Sequence, residues 1–277
     1  MGKTSCILFL LIFIFASFSK AQDENPTPAK SIFEGKNFVT FGNSITAAKN
    51  GWADQLCRQL KFGSCYNGAV GGAIWSKRER TTSSGTKIKT QSYNDSDFAG
   101  ISNTNTANPD DLEFQKRINN CAIVHIQQYL SKKKTASPDF IILSYGTNDP
   151  SSAAALGNAA QALGERNLNK LDLNTLAGAI KWCIQTLQAE FPKAKLYVAL
   201  PLQAASENRN KDNLKKIDVI TKICEGMSVP YFNCFAECDI TQQNSTQYLR
   251  DGLHPNEEGK LVQAKYLIKK LMEVNQP

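Results

Sequence analysis

Along this chain, short apolar runs alternate with longer stretches in which apolar residues recur at helical spacing. The runs Asn37 to Phe41, Cys65 to Asn67, Phe140 to Tyr145, Leu196 to Leu200 and Pro230 to Asn233 have the length and content of buried strands. Between them, Trp52 to Leu60, Phe114 to Leu130, Asn174 to Glu190 and Asn213 to Gly226 read as helices. Glu257 to Val274 closes the chain, with Leu261, Ala264, Leu267, Ile268 and Leu271 spaced for one apolar face. Strands that alternate with helices predict a parallel sheet covered on both sides: an α/β fold, a three-layer α/β/α sandwich on five strands in flavodoxin-like order. Ligands in such folds bind beyond the carboxyl ends of the strands, so the chemistry is expected in the residues that follow each strand.

The amino-terminal pattern is different. Lys3 precedes an apolar run from Ile7 to Phe18, and Ser19-Lys20-Ala21 follows as a small-x-small sequence. This predicts a cleavable signal peptide over residues 1–21, too short to span a bilayer, which needs about 20 apolar residues. No cysteine follows the run, which argues against a bacterial lipid anchor there. The mature protein is expected to start near Gln22 and to be secreted or periplasmic. Residues 22–31 read as a polar, proline-containing lead-in. Residues 32–277 suit one large domain, and no later stretch is apolar enough to insert stably in a membrane.

Composition narrows the function classes. The formal charge is +7, and removal of Lys3 and Lys20 lowers it to 7 − 2 = +5. Beyond Lys132-Lys133-Lys134 there is no basic stripe with interleaved aromatics, so nucleic acid is not an expected partner. Seven cysteines follow the signal segment: Cys57, Cys65, Cys121, Cys183, Cys224, Cys234 and Cys238. Export permits disulfides, and an odd count leaves at least one thiol free. Cys57 with Cys65 is the best-placed pair, and Cys234 with Cys238 a second. With only His125 and His254 and no CxxC-type cluster, no metal site is expected.

The strand exits carry the candidate chemistry. Asn43-Ser44 follows the first strand, Gly71-Gly72 the second and Gly146-Thr147-Asn148-Asp149 the third, while "RDGLHPNEEG" precedes the last helix. A serine hydroxyl needs a base, and imidazole is the usual one near neutral pH. His125 shares an apolar helix face with Ile118 and Tyr129 and is expected to pack structurally. His254 lies in a loop three residues after Asp251, a spacing that lets the carboxylate hold Nδ1–H while Nε2 faces a nucleophile. Acyl transfer also needs donors for the developing oxyanion. The Ser44 N–H, the Gly72 N–H and the Asn148 side-chain amide are the candidates. Each has a plainer alternative: Ser44 as a helix N-cap, Gly71-Gly72 and "DGLHPN" as turns, Asn148 as a cap.

Taken together, these stretches resemble the SGNH (GDSL-type) hydrolase family. Its Gly-Asp-Ser block is matched by Gly42-Asn43-Ser44, with Ile45-Thr46 following. Its Asn-x-Gly-x-x-Gly turn is matched by "NGAVGG" through Asn67 and Gly72, and its Gly-x-Asn-Asp by "GTND", residues 146–149. Its Asp-x-x-His is matched by "DGLH", residues 251–254. Asn43 stands where the family has aspartate, and Ala69 where it has the middle glycine. The G-x-S-x-G elbow of α/β-hydrolases is missing, since Thr46 occupies its last position. The resemblance implies Ser44 as nucleophile, His254 as base, Asp251 as its orienting carboxylate, and Ser44, Gly72 and Asn148 as oxyanion donors, with no cofactor.

For substrate, residues 76–113 form a long insertion rich in Ser, Thr, Asn and charge, with Ile88, Tyr93, Phe98, Ile101 and Leu112 scattered and no apolar stripe. That suits a polar, sugar-like substrate better than a lipid surface. Lys77, Arg78, Arg80, Lys87 and Lys89 add positive charge, read as a solvated face or as a contact for an acidic glycan. The leading expectation is an esterase that removes acetyl groups from an acetylated carbohydrate or another small ester. A lipolytic esterase or lysophospholipase, and a catalytically silent carbohydrate-binding protein, are the alternatives.

Overall fold

The computed structural model describes residues 31–77, 120–132 and 137–276, together with the backbone of two short strands at 80–81 and 87–88. The chain separates into two compact units, Met1–Ser31 and Ile32–Pro277. The expected signal peptide and lead-in, and most of the 76–113 insertion, lie outside the described residues.

The second unit is built on a parallel sheet. Its strands are β1 (Asn37–Gly42), β2 (Ser64–Asn67), β5 (Phe140–Ser144), β6 (Lys195–Ala199) and β7 (Tyr231–Phe232), in the spatial order β2-β1-β5-β6-β7. Among the five sheet strands this is the flavodoxin-like order, with its topological switch between β1 and β5. The expected strands match to within a residue or two. Inside the expected irregular insertion, β3 (Arg80–Thr81) and β4 (Lys87–Ile88) form a small antiparallel pair.

Strand periodicity divides the core in two. Val39, Phe41, Ile141, Leu143 and Val198 point into one cluster. Helices α2 (Ala122–Lys132), α5 (Leu176–Glu190) and α6 (Glu207–Gly226) cover it. Phe38, Phe140, Ile142, Tyr197 and Ala199 point the other way. There they meet Trp52 and Leu56 of α1 (Trp52–Gln59) and Ala264, Leu267 and Leu271 of α9 (Glu257–Glu273).

Three departures from expectation have local causes. Helix α6 begins at Glu207, not Asn213, because Ser206 caps it by accepting the Arg209 N–H and its first turns bury Asn210 and Asn213 rather than apolar residues. The short helices α3 (Ala153–Leu156) and α4 (Ala159–Gly164) span too little chain to show a period. Cys57 and Cys65 do form a disulfide, tying α1 to β2. Cys234 and Cys238 do not: they bracket the single-turn helix α7 (Cys234–Glu237), where the Cys238 N–H donates to the Cys234 carbonyl, and both are buried free thiols.

Candidate active site

The first catalytic candidate sits where β1 ends. Ser44 is not a helix cap, since α1 starts only at Trp52 and is preceded by Gly51. Instead the chain makes one isolated turn. The Asn43 carbonyl accepts the Ala47 N–H at 2.9 Å, and Asn43 Oδ1 accepts the Ile45 N–H at 3.0 Å. The Asn43 N–H in turn donates to the Ser144 carbonyl, tying the turn to β5. Asn43 is buried and works here as a neutral acceptor, so this turn forms without the charge of an aspartate. Gly42 is required by close packing. A Cβ there would lie 2.3 Å from Thr46 Oγ1 and 2.6 Å from the Ser144 carbonyl oxygen.

The candidate acid–base pair arrives on a loop from the other end of the chain. Ser44 Oγ lies 2.8 Å from His254 Nε2, and His254 Nδ1 lies 2.8 Å from Asp251 Oδ2. Asp251 Oδ1 accepts the backbone N–H groups of His254 at 2.8 Å and Leu253 at 3.1 Å. These donors, the His254 N–H foremost, hold the Asp251 carboxyl down at about 2. It is therefore an anion that only accepts, which places the proton on Nδ1 and leaves Nε2 to accept from the Ser44 hydroxyl. Gly252 has φ +75°, and its carbonyl accepts the Ala205 N–H at 2.8 Å, anchoring the loop.

The third group lies beside the switch point. The Val70 N–H donates to the Gly42 carbonyl, and Asn67 Nδ2 donates to the Thr46 carbonyl at 2.9 Å, so the loop after β2 is laced to the Ser44 turn. Gly72 has φ +74°, a left-handed conformation that favours glycine. Among the described residues, the N–H groups of Ser44 and Gly72 have no acceptor. Asn148 Nδ2 donates to the Ala73 carbonyl at 3.2 Å, so the loop after β5 and the loop carrying Gly72 are joined through that side chain. Asp149 Oδ1 accepts the Trp75 N–H at 2.9 Å and repeats the tie one residue further on.

Ser44, His254 and Asp251 are thus in direct contact at the carboxyl end of the sheet, and Gly72 and Asn148 lie on the loops that follow β2 and β5 at the same end. His125 is excluded from it. It is buried against Tyr145, with Nδ1 3.0 Å from the phenol oxygen, and burial pushes its imidazole down to about 4. A cleft of about 650 Å³ lined by Ala153, Gln161, Glu165 and Asp172 does not include Ser44 or His254. Its Glu165 and Asp172 carboxylates already accept backbone N–H groups of Asn167 and Asn174. Among the described residues, no cluster of three or more His, Cys, Asp or Glu is arranged to hold a metal ion. None of their helices is long and apolar enough to cross a membrane.

A three-layer α/β/α sheet with a serine, an imidazole and a carboxylate in hydrogen-bonded sequence at its switch point defines a hydrolase scaffold. Residues 40–261 match the model of the GDSL-like lipase/acylhydrolase family, and the chain belongs to that family, whose members act on ester bonds. The fold recurs in solved structures of low identity. A protein from Lactobacillus plantarum is 17% identical with a TM-score of 0.59, the match covering 88% of this chain and 99% of that one. A putative GDSL-like lipase from Bacteroides ovatus is 14% identical with a TM-score of 0.54, over 87% and 99%. A possible lipase from Chitinophaga pinensis is 12% identical, also at 0.54, over 86% and 98%. No curated protein matches the sequence.

Proposed function

We propose that this protein is an exported serine esterase that removes short acyl groups, chiefly acetyl, from a carbohydrate or glycoconjugate. The observation that carries the reading is the unbroken relay from Ser44 Oγ through His254 to Asp251, with both links at 2.8 Å. In the proposed mechanism Ser44 Oγ attacks the ester carbonyl carbon while His254 Nε2 takes the hydroxyl proton, and the Asp251 carboxylate stabilises the imidazolium. The tetrahedral oxyanion is received by the N–H groups of Ser44 and Gly72 and by Asn148 Nδ2. His254 then protonates the leaving alcohol, and a water deprotonated by the same imidazole releases the carboxylic acid. Every proton moves between these groups, so the mechanism needs no cofactor or metal.

The short-acyl preference rests on the polar character of the 76–113 insertion, whose few apolar residues form no stripe. The proposed secretion rests on the 1–21 sequence pattern. Rates on p-nitrophenyl acetate and p-nitrophenyl decanoate, followed by acetate release from acetylated glycans, test the substrate class. Faster cleavage of the acetate ester is expected. Faster cleavage of the decanoate would overturn the carbohydrate reading in favour of a lipolytic one.

A further inference from the structure

Behind the loop that carries Asn148 lies a buried charge that the proposed mechanism does not use. Lys216, in the middle of α6, is 2% exposed, and its Nζ donates to the Thr147 carbonyl at 3.2 Å. The same oxygen receives Nη1 of Arg209 at 3.4 Å, about two turns earlier on the same helix. Burying an ammonium against a single carbonyl costs stability unless nearby charge offsets it. Burial pushes the Lys216 group down to about 8 against the opposing pull of Asp149 and Asp212, with the neighbouring Arg209 adding to the downward shift. A lysine in so unfavourable a place invites the question of what it fixes.

It fixes the peptide plane that leads into Asn148. The Thr147 carbonyl and the Asn148 N–H belong to one planar unit, so a carbonyl held from behind sets the direction in which the Asn148 side chain leaves the loop. Gly146, with φ +105°, lets the chain turn there. On the far side Nδ2 is held by the Ala73 carbonyl. We infer that Lys216, assisted by Arg209, is a positioning residue that aims the Asn148 amide at the oxyanion by gripping the Thr147 carbonyl. The inference rests on the oxyanion role proposed above for Asn148. Lys181 is a natural control. It is also buried, but its Nζ donates to the carbonyls of Leu163 and Glu165 at the end of α4, away from the three catalytic loops.

Steady-state kinetics on p-nitrophenyl acetate with Lys216→Met, Asn148→Ala and the double variant test this. Lys216→Met is expected to lower kcat about 10- to 100-fold with little change in KM, the scale of loss when a reacting group is slightly misplaced. In the Asn148→Ala background the same change should cost almost nothing, because the group it positions is gone. Lys181→Met should leave kcat near the wild-type value in whatever fraction folds. Should Lys216→Met not fold, Arg209→Gln, at an exposed position, should show the same kcat loss in smaller measure and the same silence beside Asn148→Ala. Additive losses in the double variant, or an unchanged kcat in the folded single variant, would overturn the inference while leaving the mechanism intact. An Asn148→Ala enzyme of full kcat would overturn the oxyanion role and this inference together.

Discussion

The loop proposed to supply the base and the loop proposed to supply the oxyanion donor are built in opposite ways. The Asp251–His254 loop is local and open. Its carboxylate is 49% exposed, and it organises partners two and three residues away in sequence. The Gly146–Asp149 loop is buried and dispersed: it is held by Ala73 and Trp75 from one side and by Arg209 and Lys216 from the other. A short acidic loop can shape an imidazole by itself, because an ionised carboxylate accepts several N–H groups at once. A neutral amide has no such self-organising charge, and its direction must come from the surrounding core.

The largest test of this contrast removes the reacting groups. Ser44→Ala and His254→Ala should each reduce turnover by about 10⁶-fold without unfolding the protein, because nucleophile and base act as a unit. Asp251→Asn should lower kcat severely, by roughly 10⁴-fold, since an amide can present the wrong group to Nδ1 and does not stabilise the imidazolium. Circular dichroism alongside the kinetics separates chemistry from folding. Near wild-type turnover in Ser44→Ala would refute the mechanism.

On the buried side the expected loss is smaller. Asn148→Ala should lower kcat by roughly 10²–10³-fold with KM little changed, the usual cost of one oxyanion donor. A change confined to KM would assign Asn148 to substrate binding instead.

A separate effect is on stability, and it comes from buried thiols in the core on both faces of the sheet. Burial pushes the Cys121 and Cys238 thiols from 9.0 up to about 11 and Cys224 up to about 12, and Cys183 and Cys234 well above 9.0. Above pH 9 the unfolded chain releases thiol protons that the folded chain retains. Stability present below pH 9 is therefore lost as pH rises from there towards the folded-state values. Lys216 acts in the other direction between about pH 8 and 10.5, but it is one group against five. The melting temperature should fall from pH 9 to pH 11, and a flat or rising profile would contradict the burial of these thiols.

How legible each region was in the sequence follows from the same contrast. The Asp251–His254 loop could be read because both partners lie within four residues, and the Ser44 turn because Gly42 and Asn43 mark a sharp exit from an apolar run. The sheet was readable for a related reason, since buried parallel strands leave unbroken apolar runs. Lys216 could not be read. It lies in "NLKKIDVITK", where a lysine beside another lysine looks like a solvated helix face, and only the packing of α6 shows which one turns inward. The inward-facing Asn210 and Asn213 hid the start of α6 in the same way. Cys234 and Cys238 misled because their spacing suits a bridge across a loop, whereas the chain winds them into one helical turn.

The central claim is that Ser44 is the nucleophile, activated through His254. Reaction of the folded enzyme with a fluorophosphonate probe, followed by peptide mass spectrometry, tests it most directly. The account predicts one adduct, on the peptide containing Ser44, formed in step with loss of esterase activity and no longer formed in His254→Ala. An adduct on another serine with the same loss of activity, or an active enzyme that leaves Ser44 unlabelled, would contradict it.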